Sequence, residues 1–164
     1  ELKAAPLTSE GFFPYGYVLE AGGKPVGANA GTAGRSNGLA SLENMRAHAG
    51  ANLCVFRCKP IPNEAFRPKL LERHAFSTQV FVPMAAKKGF LVLVAQGGDM
   101  PDLNTLKAFL VSPKQGIAYR PGIWHHPLAV LEAETDMACL VYEDGTKGDC
   151  ETRPLPEGVV VNWR

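Results

Sequence analysis

The sequence predicts an all-β domain, a sandwich or barrel of antiparallel strands with a few short helices. Short β-type apolar runs recur along the chain, and their boundaries hold Gly, Pro, Asn or Asp, as in Gly97-Gly98-Asp99, Ser112-Pro113 and Asp144-Gly145. Few stretches keep a helical period, and many short strands at close spacing are the mark of stacked or closed antiparallel sheets. At 164 residues, with 46% apolar and 20% charged side chains, the chain has the size and composition of one globular domain that buries a core without staples. No repeat, linker or low-complexity stretch divides it, so residues 1–164 read as a single domain.

Taken in order, Thr8-Ser9-Glu10 before Phe12-Phe13 reads as a short capped helix that Pro14 ends. Residues 15–20 make a first strand. Residues 21–38, rich in Gly, Ala and Asn, make one long loop, and loops of that length are usually functional or disordered. Its polar recognition side chains are Asn29, Arg35 and Asn37. Residues 39–49 suit a short helix. Strands follow at 51–58, 78–84, 89–95, 106–111, 116–119, 124–131, 137–142 and 159–163, with 103–109 able to start as a helical turn.

Composition excludes several partners. A net charge of +1 without any Lys/Arg-rich run argues against nucleic acid. The longest apolar run, Phe90 to Ala95, is far too short to cross a bilayer. No basic-then-apolar leader opens the sequence, which points to the cytoplasm. Cys54, Cys58, Cys139 and Cys150 form no C-x-x-C pair. Free buried thiols are expected rather than a disulfide, and the spacing is wrong for a thiolate zinc site.

Two polar constellations carry chemistry. The first is Tyr119-Arg120-Pro121-Gly122-Ile123-Trp124-His125-His126-Pro127-Leu128, which sets two adjacent imidazoles, of only four in the chain, after a Pro-Gly turn. Successive strand side chains point to opposite faces, so His125 and His126 cannot both enter one pocket. The second runs from Leu71 to Met84 and carries Glu72, His74 and Gln79, all competent metal ligands or proton handlers. Small jelly-roll barrels of the cupin type hold metal with His-x-His-x-x-x-x-Glu in one motif and a histidine after Gly-x-x in another. Glu72-x-His74-x-x-x-x-Gln79 and Gly122-x-x-His125 keep that spacing with altered residue types. His74, Gln79 and His125 are therefore the candidate metal ligands. A polar network satisfied without metal is the competing reading.

Leu71-Glu72-Arg73-His74, Thr78-Gln79-Val80-Phe81-Val82-Pro83-Met84, Pro101-Asp102-Leu103, Leu106 to Leu110, Gln115-Gly116 and Trp124-His125-His126-Pro127-Leu128 stand in an ordered series. That series resembles the ureidoglycolate lyase family, and the likeness runs from Pro14-Tyr15-Gly16 through Asn29-x-Gly31 and Arg35 to Asp149. The resemblance implies a cupin-like jelly-roll β-barrel, a homodimer, and release of urea from (S)-ureidoglycolate to leave glyoxylate in allantoin and purine catabolism. It also implies a divalent metal, nickel in the bacterial members, and no organic cofactor. Where family members carry His-Arg after the residue matching Tyr119, this chain has Arg120-Pro121. If that family histidine takes part in proton transfer, the role here passes to His125, His126 or Glu72; if it serves as a cation, Arg120 takes its place.

The substrate carries hydroxyl, carboxylate and a urea nitrogen on one carbon. Its cleavage needs a base for the hydroxyl proton and an acid for the departing nitrogen. The carboxylate calls for a guanidinium. Arg35 is the first choice, with Arg57, Arg73 and Arg120 as the other candidates, whereas Arg46, Arg67 and Arg153 read as solvated charges. Asn29, Tyr119 and Trp124 complete the expected substrate contacts. A strand or the Phe12/Phe13 segment is expected to supply the dimer contact. The alternative from another class is a non-catalytic cupin-like module that binds a small oxoacid or sugar, separable by following urea and glyoxylate. A metal-dependent oxygenase is weaker, for want of a clean two-histidine facial set.

Overall fold

The computed structural model describes residues 1–62 and 65–164. Two mainly antiparallel sheets make up its centre. One runs in the order Glu151–Pro154, Leu70–Arg73, Trp124–His125, Phe90–Ala95, Lys107–Val111, Ala5–Pro6, with Ala129–Val130 also paired to Phe90–Ala95. The other runs Gly16–Leu19, Gly116–Tyr119, Gln79–Pro83, Thr135–Glu143, Gly50–Cys58. Their facing side chains form one core: Phe90, Val92, Val94 and Phe109 from the first sheet meet Phe81, Ile117, Tyr119 and Met137 from the second.

Neither sheet closes, so the β-rich content stands but the expected jelly-roll barrel does not. The outermost strands of the seven-stranded sheet help explain its open edges. Ala5–Pro6 and Glu151–Pro154 each end in proline, whose nitrogen has no proton for a further ladder.

Phe90–Ala95 is buried at every position. Phe90, Val92 and Val94 enter the shared core, while Leu91, Leu93 and Ala95 enter a second cluster on the outer face of the same sheet. This is why the segment reads as an unbroken apolar run rather than an alternation. The outer cluster is roofed by the ends of the chain. Leu2, Phe66, Leu155, Val161 and Trp163 pack there, and Leu2–Lys3 pairs in parallel with Val161–Asn162. Each such aliphatic or aromatic side chain contributes roughly 1.5–3 kcal/mol when fully buried.

Local expectations divide instructively. Thr8 caps Ser9–Phe12 by accepting from the Gly11 amide, and Phe12 is fully buried beside Phe109 and Tyr119. Pro127 interrupts the strand expected over 124–131, leaving Trp124–His125 and Ala129–Val130. The expected loop 21–38 contains a hairpin, Val26–Ala28 with Ala33–Arg35. Residues 39–49 are not helical, because their hydrogen bonds go elsewhere. Met45 donates to the Phe76 carbonyl, Thr78 donates to that of Glu43, and the Thr78 hydroxyl accepts from the Glu43 amide. Leu103–Thr105 is a single 3-10 turn before the Lys107–Val111 strand. Leu70–Arg73 and Glu151–Pro154 were not foreseen as strands.

Candidate active site and metal centre

The site lies between the two sheets. In the seven-stranded sheet His125 stands directly opposite Glu72, with Val94 on its other side. In the five-stranded sheet Gln79 stands opposite Tyr119. His74 follows the Leu70–Arg73 strand where the chain turns. One ligand atom from each of Glu72, His74 and His125 can be chosen so that all lie within 4.8 Å of one another. The His125 ring stacks against Tyr119 at 4.0 Å and 12°, and against His74 at 5.7 Å and 18°.

Backbone carbonyls fix the tautomers. His74 Nδ1 lies 2.7 Å from the Asp149 carbonyl oxygen, and His125 Nδ1 lies 3.0 Å from that of Ile123. A carbonyl only accepts, so each Nδ1 carries the proton and each Nε2 presents a lone pair. Both Nε2 atoms are buried without a partner, as is Gln79 Oε1. His125 Nε2 sits 3.5 Å from Glu72 Oε1. Two acceptors facing each other at that distance repel unless a proton or cation lies between them. Buried polar atoms are normally paired, so this donor set fits a divalent cation held by Glu72, His74 and His125. Nδ1 anchored on a carbonyl is the usual support for an imidazole ligand.

Charge balance agrees. Burial raises the Glu72 carboxyl, but the adjacent His125, with smaller pulls from His74 and His126, outweighs it and leaves the group below the ordinary carboxylate value. Burial, then the charge of His125, holds His74 below the usual histidine value against the pull of Glu72. Burial also raises the Tyr119 phenol well above its usual value.

A cavity of about 240 Å³ opens onto this cluster, lined by Glu72, Gln79 and Phe81 with Phe56, Cys58, Lys59, Pro127 and Leu128. It suits a ligand of few heavy atoms. Two larger surface grooves, of about 590 and 550 Å³, carry none of the site residues.

Glu72, His74, Gln79, His125 and Tyr119 thus come together. His126 does not join them. Its ring meets Phe66 edge-on at 5.0 Å, and its Nδ1 lies 2.6 Å from the Pro127 carbonyl oxygen. Trp124 lies fully buried in the outer cluster, donating to the Gly98 carbonyl. Arg73 stacks over Trp124 at 4.8 Å, donates to the Gly98 carbonyl and pairs with Glu151 and Asp99. Arg57 is exposed and grips Asp136 through two hydrogen bonds of 2.9 and 3.0 Å. Arg120 lies over Phe13 and Tyr17 and donates to the Tyr17 hydroxyl. Asn29 and Arg35 belong to the 26–35 hairpin and do not line the cavity.

Three participants escaped the sequence reading. Arg46 is no solvated charge: it bridges Asp144 and Asp149 at 3.1 and 2.6 Å. Asp149 accepts from the Asp144 and Gly145 amides, and these with Arg46 hold its carboxyl down to about 2. The same residue's carbonyl anchors His74. Lys59 lines the cavity. The turn-rich Asp144-Gly145 string marked the loop around Asp149, but nothing local tied Arg46 or Lys59 to it. The thiols are free, with Cys139 buried, Cys54 and Cys58 partly so, and Cys150 exposed rather than buried.

A family model described as ureidoglycolate lyase matches residues 1–162. The chain belongs to the ureidoglycolate lyase family. It is 35% identical over 158 residues to the ureidoglycolate lyase of Escherichia coli K12, covering 96% of each chain. It is also 35% identical to that of Pseudomonas aeruginosa LESB58 over 151 residues, 92% of this chain and 88% of the relative. RmlC from Streptococcus suis, solved in complex with dTDP-D-xylose, overlaps 60% of this chain and 46% of its own at 11% identity and a TM-score of 0.36. That likeness is too loose to carry an argument.

Proposed function

We infer that the protein is a ureidoglycolate lyase, cleaving (S)-ureidoglycolate to glyoxylate and urea in allantoin and purine catabolism, with residues 1–164 working as one domain. Family membership across nearly the whole length supports the reaction. What supports a site for it is the convergence of two partnerless imidazole nitrogens and the Gln79 amide oxygen beside Glu72.

The reaction needs no water. The hydroxyl proton leaves, its O–H pair becomes the new carbonyl π bond, and the C–N pair departs with urea and takes up a proton. The Glu72 carboxylate accepts the hydroxyl proton on one of its oxygens and then returns it to the urea nitrogen. The neutral His125 ring, its Nδ1 proton held on the Ile123 carbonyl, stands beside it as a ligand. Such proton handling is typically worth ~10² to 10⁴ in rate. His74 shares the site as a neutral ligand, Gln79 orients the substrate through its amide, and Tyr119 holds the His125 ring in place by stacking. Glu72, His74 and His125 would hold a divalent metal, nickel by family resemblance. When bound, it supplies Lewis acidity toward the substrate hydroxyl.

The protein works as a homodimer in the cytoplasm. The outer face of the five-stranded sheet supports the dimer. Leu53, Val55 and Val82 are 76%, 57% and 43% exposed there, and the strand register sets Ala138 and Leu140 between them. Phe12, buried in its own chain, is not available for that contact. Four free thiols and the absence of any helix, among the described residues, long and apolar enough to cross a membrane fit this setting.

Incubation with (S)-ureidoglycolate should yield urea and glyoxylate in equal amounts, and activity lost to a chelator should return with a divalent ion. A metal-replete protein that releases neither product would overturn the reading.

A further inference from the structure

We propose that Lys59 is the cation that holds the substrate's carboxylate, an inference that rests on the lyase reading. An anionic substrate must enter a cavity that the Glu72 carboxylate lines. Among the described residues that line this cavity, Lys59 is the only cation. The arginines that sequence patterns nominate are engaged elsewhere or absent from the lining. Arg57 is held by Asp136, Arg73 by Glu151, and Arg120 lies against Phe13 and Tyr17. Lys59 makes no ion pair among the described residues, which leaves its ammonium available to a ligand.

Its backbone is placed with care. Cys58, just before it, pairs with Thr135 at the end of the Gly50–Cys58 strand. Ile61, two residues after it, donates to the Val130 carbonyl and bridges Leu131. Pro60 between them disfavours a helical conformation at Lys59. A flexible side chain is thus tethered at a fixed point on the cavity wall. A point charge there orders the carboxylate end of the substrate while the hydroxyl and urea ends reach Glu72 and His125.

The test uses the full chain and its Lys59→Ala and Lys59→Arg variants, with urea release and glyoxylate binding by calorimetry as readouts. A charge-assisted contact predicts KM for ureidoglycolate raised about tenfold or more in Lys59→Ala, with kcat within about threefold. Glyoxylate affinity should weaken by a similar factor, and Lys59→Arg should recover most of both. Unchanged KM and glyoxylate affinity in Lys59→Ala overturn the proposal, as does a fall in kcat at constant KM. If the wild-type protein releases no urea, the lyase reading fails instead. Calorimetry then still judges Lys59, since unchanged glyoxylate affinity in Lys59→Ala rejects its role.

Discussion

The two sheets each carry an apolar outer face, yet among the described residues only one of them is roofed by its own chain. Over the seven-stranded sheet, Leu91, Leu93, Ala95 and Trp124 lie beneath Leu2, Leu155, Val161 and Trp163. Over the five-stranded sheet, Leu53 and Val55 stand open on the nine-residue edge strand, which pairs on one side only, with Thr135–Glu143. A sheet buried on both faces cannot tilt or slide without breaking two clusters at once, and it is this sheet that sets Glu72 opposite His125. The bare sheet supplies Gln79 and, through the edge strand's continuation, Lys59. Rigidity is thus concentrated under the Glu72–His125 pair, and openness beside the cavity.

The sharpest way to break this contrast is to hollow out the roofed face. Trp124→Ala should cost ~3–5 kcal/mol, read from the midpoint of denaturant unfolding. Leu53→Ala in the isolated protomer should stay within about 0.5 kcal/mol. Equal losses would mean the two faces are equivalent.

Next in size is the pair of adjacent histidines, one on each side of that sheet. His125→Ala should lower kcat by ~10² or more, whereas His126→Ala, removing an imidazole that meets Phe66, should change kcat by only a few fold. Comparable losses from both would reject the assignment of His125 as the histidine of the site.

The bare face is tested by Leu53→Glu, which should convert a sedimenting dimer to a monomer while leaving circular dichroism unchanged. A variant that remains dimeric would move the contact elsewhere.

The smallest effect is in pH. Burial holds His74 below the usual histidine value of about 6.5, so it stays neutral until pH falls beneath that point. The acid limb of kcat/KM should therefore lie below about pH 6.5, with a plateau above. His126 is lowered by burial as well. Below about 6.5 the unfolded chain binds protons that the folded chain refuses, so stability should decline as pH falls through that window. His126→Leu should flatten part of that decline and leave the acid limb of activity in place.

Strand positions were legible at Gly116–Tyr119 and Gln79–Pro83, whereas the alternating Leu70–Arg73 and Glu151–Pro154 were missed because their charged residues hid the pattern. The convergence of Glu72, His74, Gln79 and His125 was legible in motif spacing, because spacing along paired strands translates directly into shared faces. Closure into a barrel was not. It depends on whether distant edges meet, and the prolines that end those edges give only a local hint. Residues 39–49 misled because their composition suits a helix, while Phe76 to Thr78 offers the hydrogen bonds that win. The guanidinium assignments failed for a related reason. Arginine pairs through long side chains whose partners, such as Asp136 for Arg57 or Asp149 for Arg46, lie 79 and 103 residues away.

Both tryptophans of the chain, Trp124 and Trp163, sit in the roofed cluster, and Trp124 lies beneath the guanidinium groups of Arg73 and Arg153. Intrinsic fluorescence from this protein is therefore a gauge of the roof and is nearly blind to the pocket. If the chain ends peel away before the sheets part, emission will change at a lower denaturant concentration than catalysis is lost. Coincident curves would instead mark roof, sheets and imidazole pair as one cooperative unit.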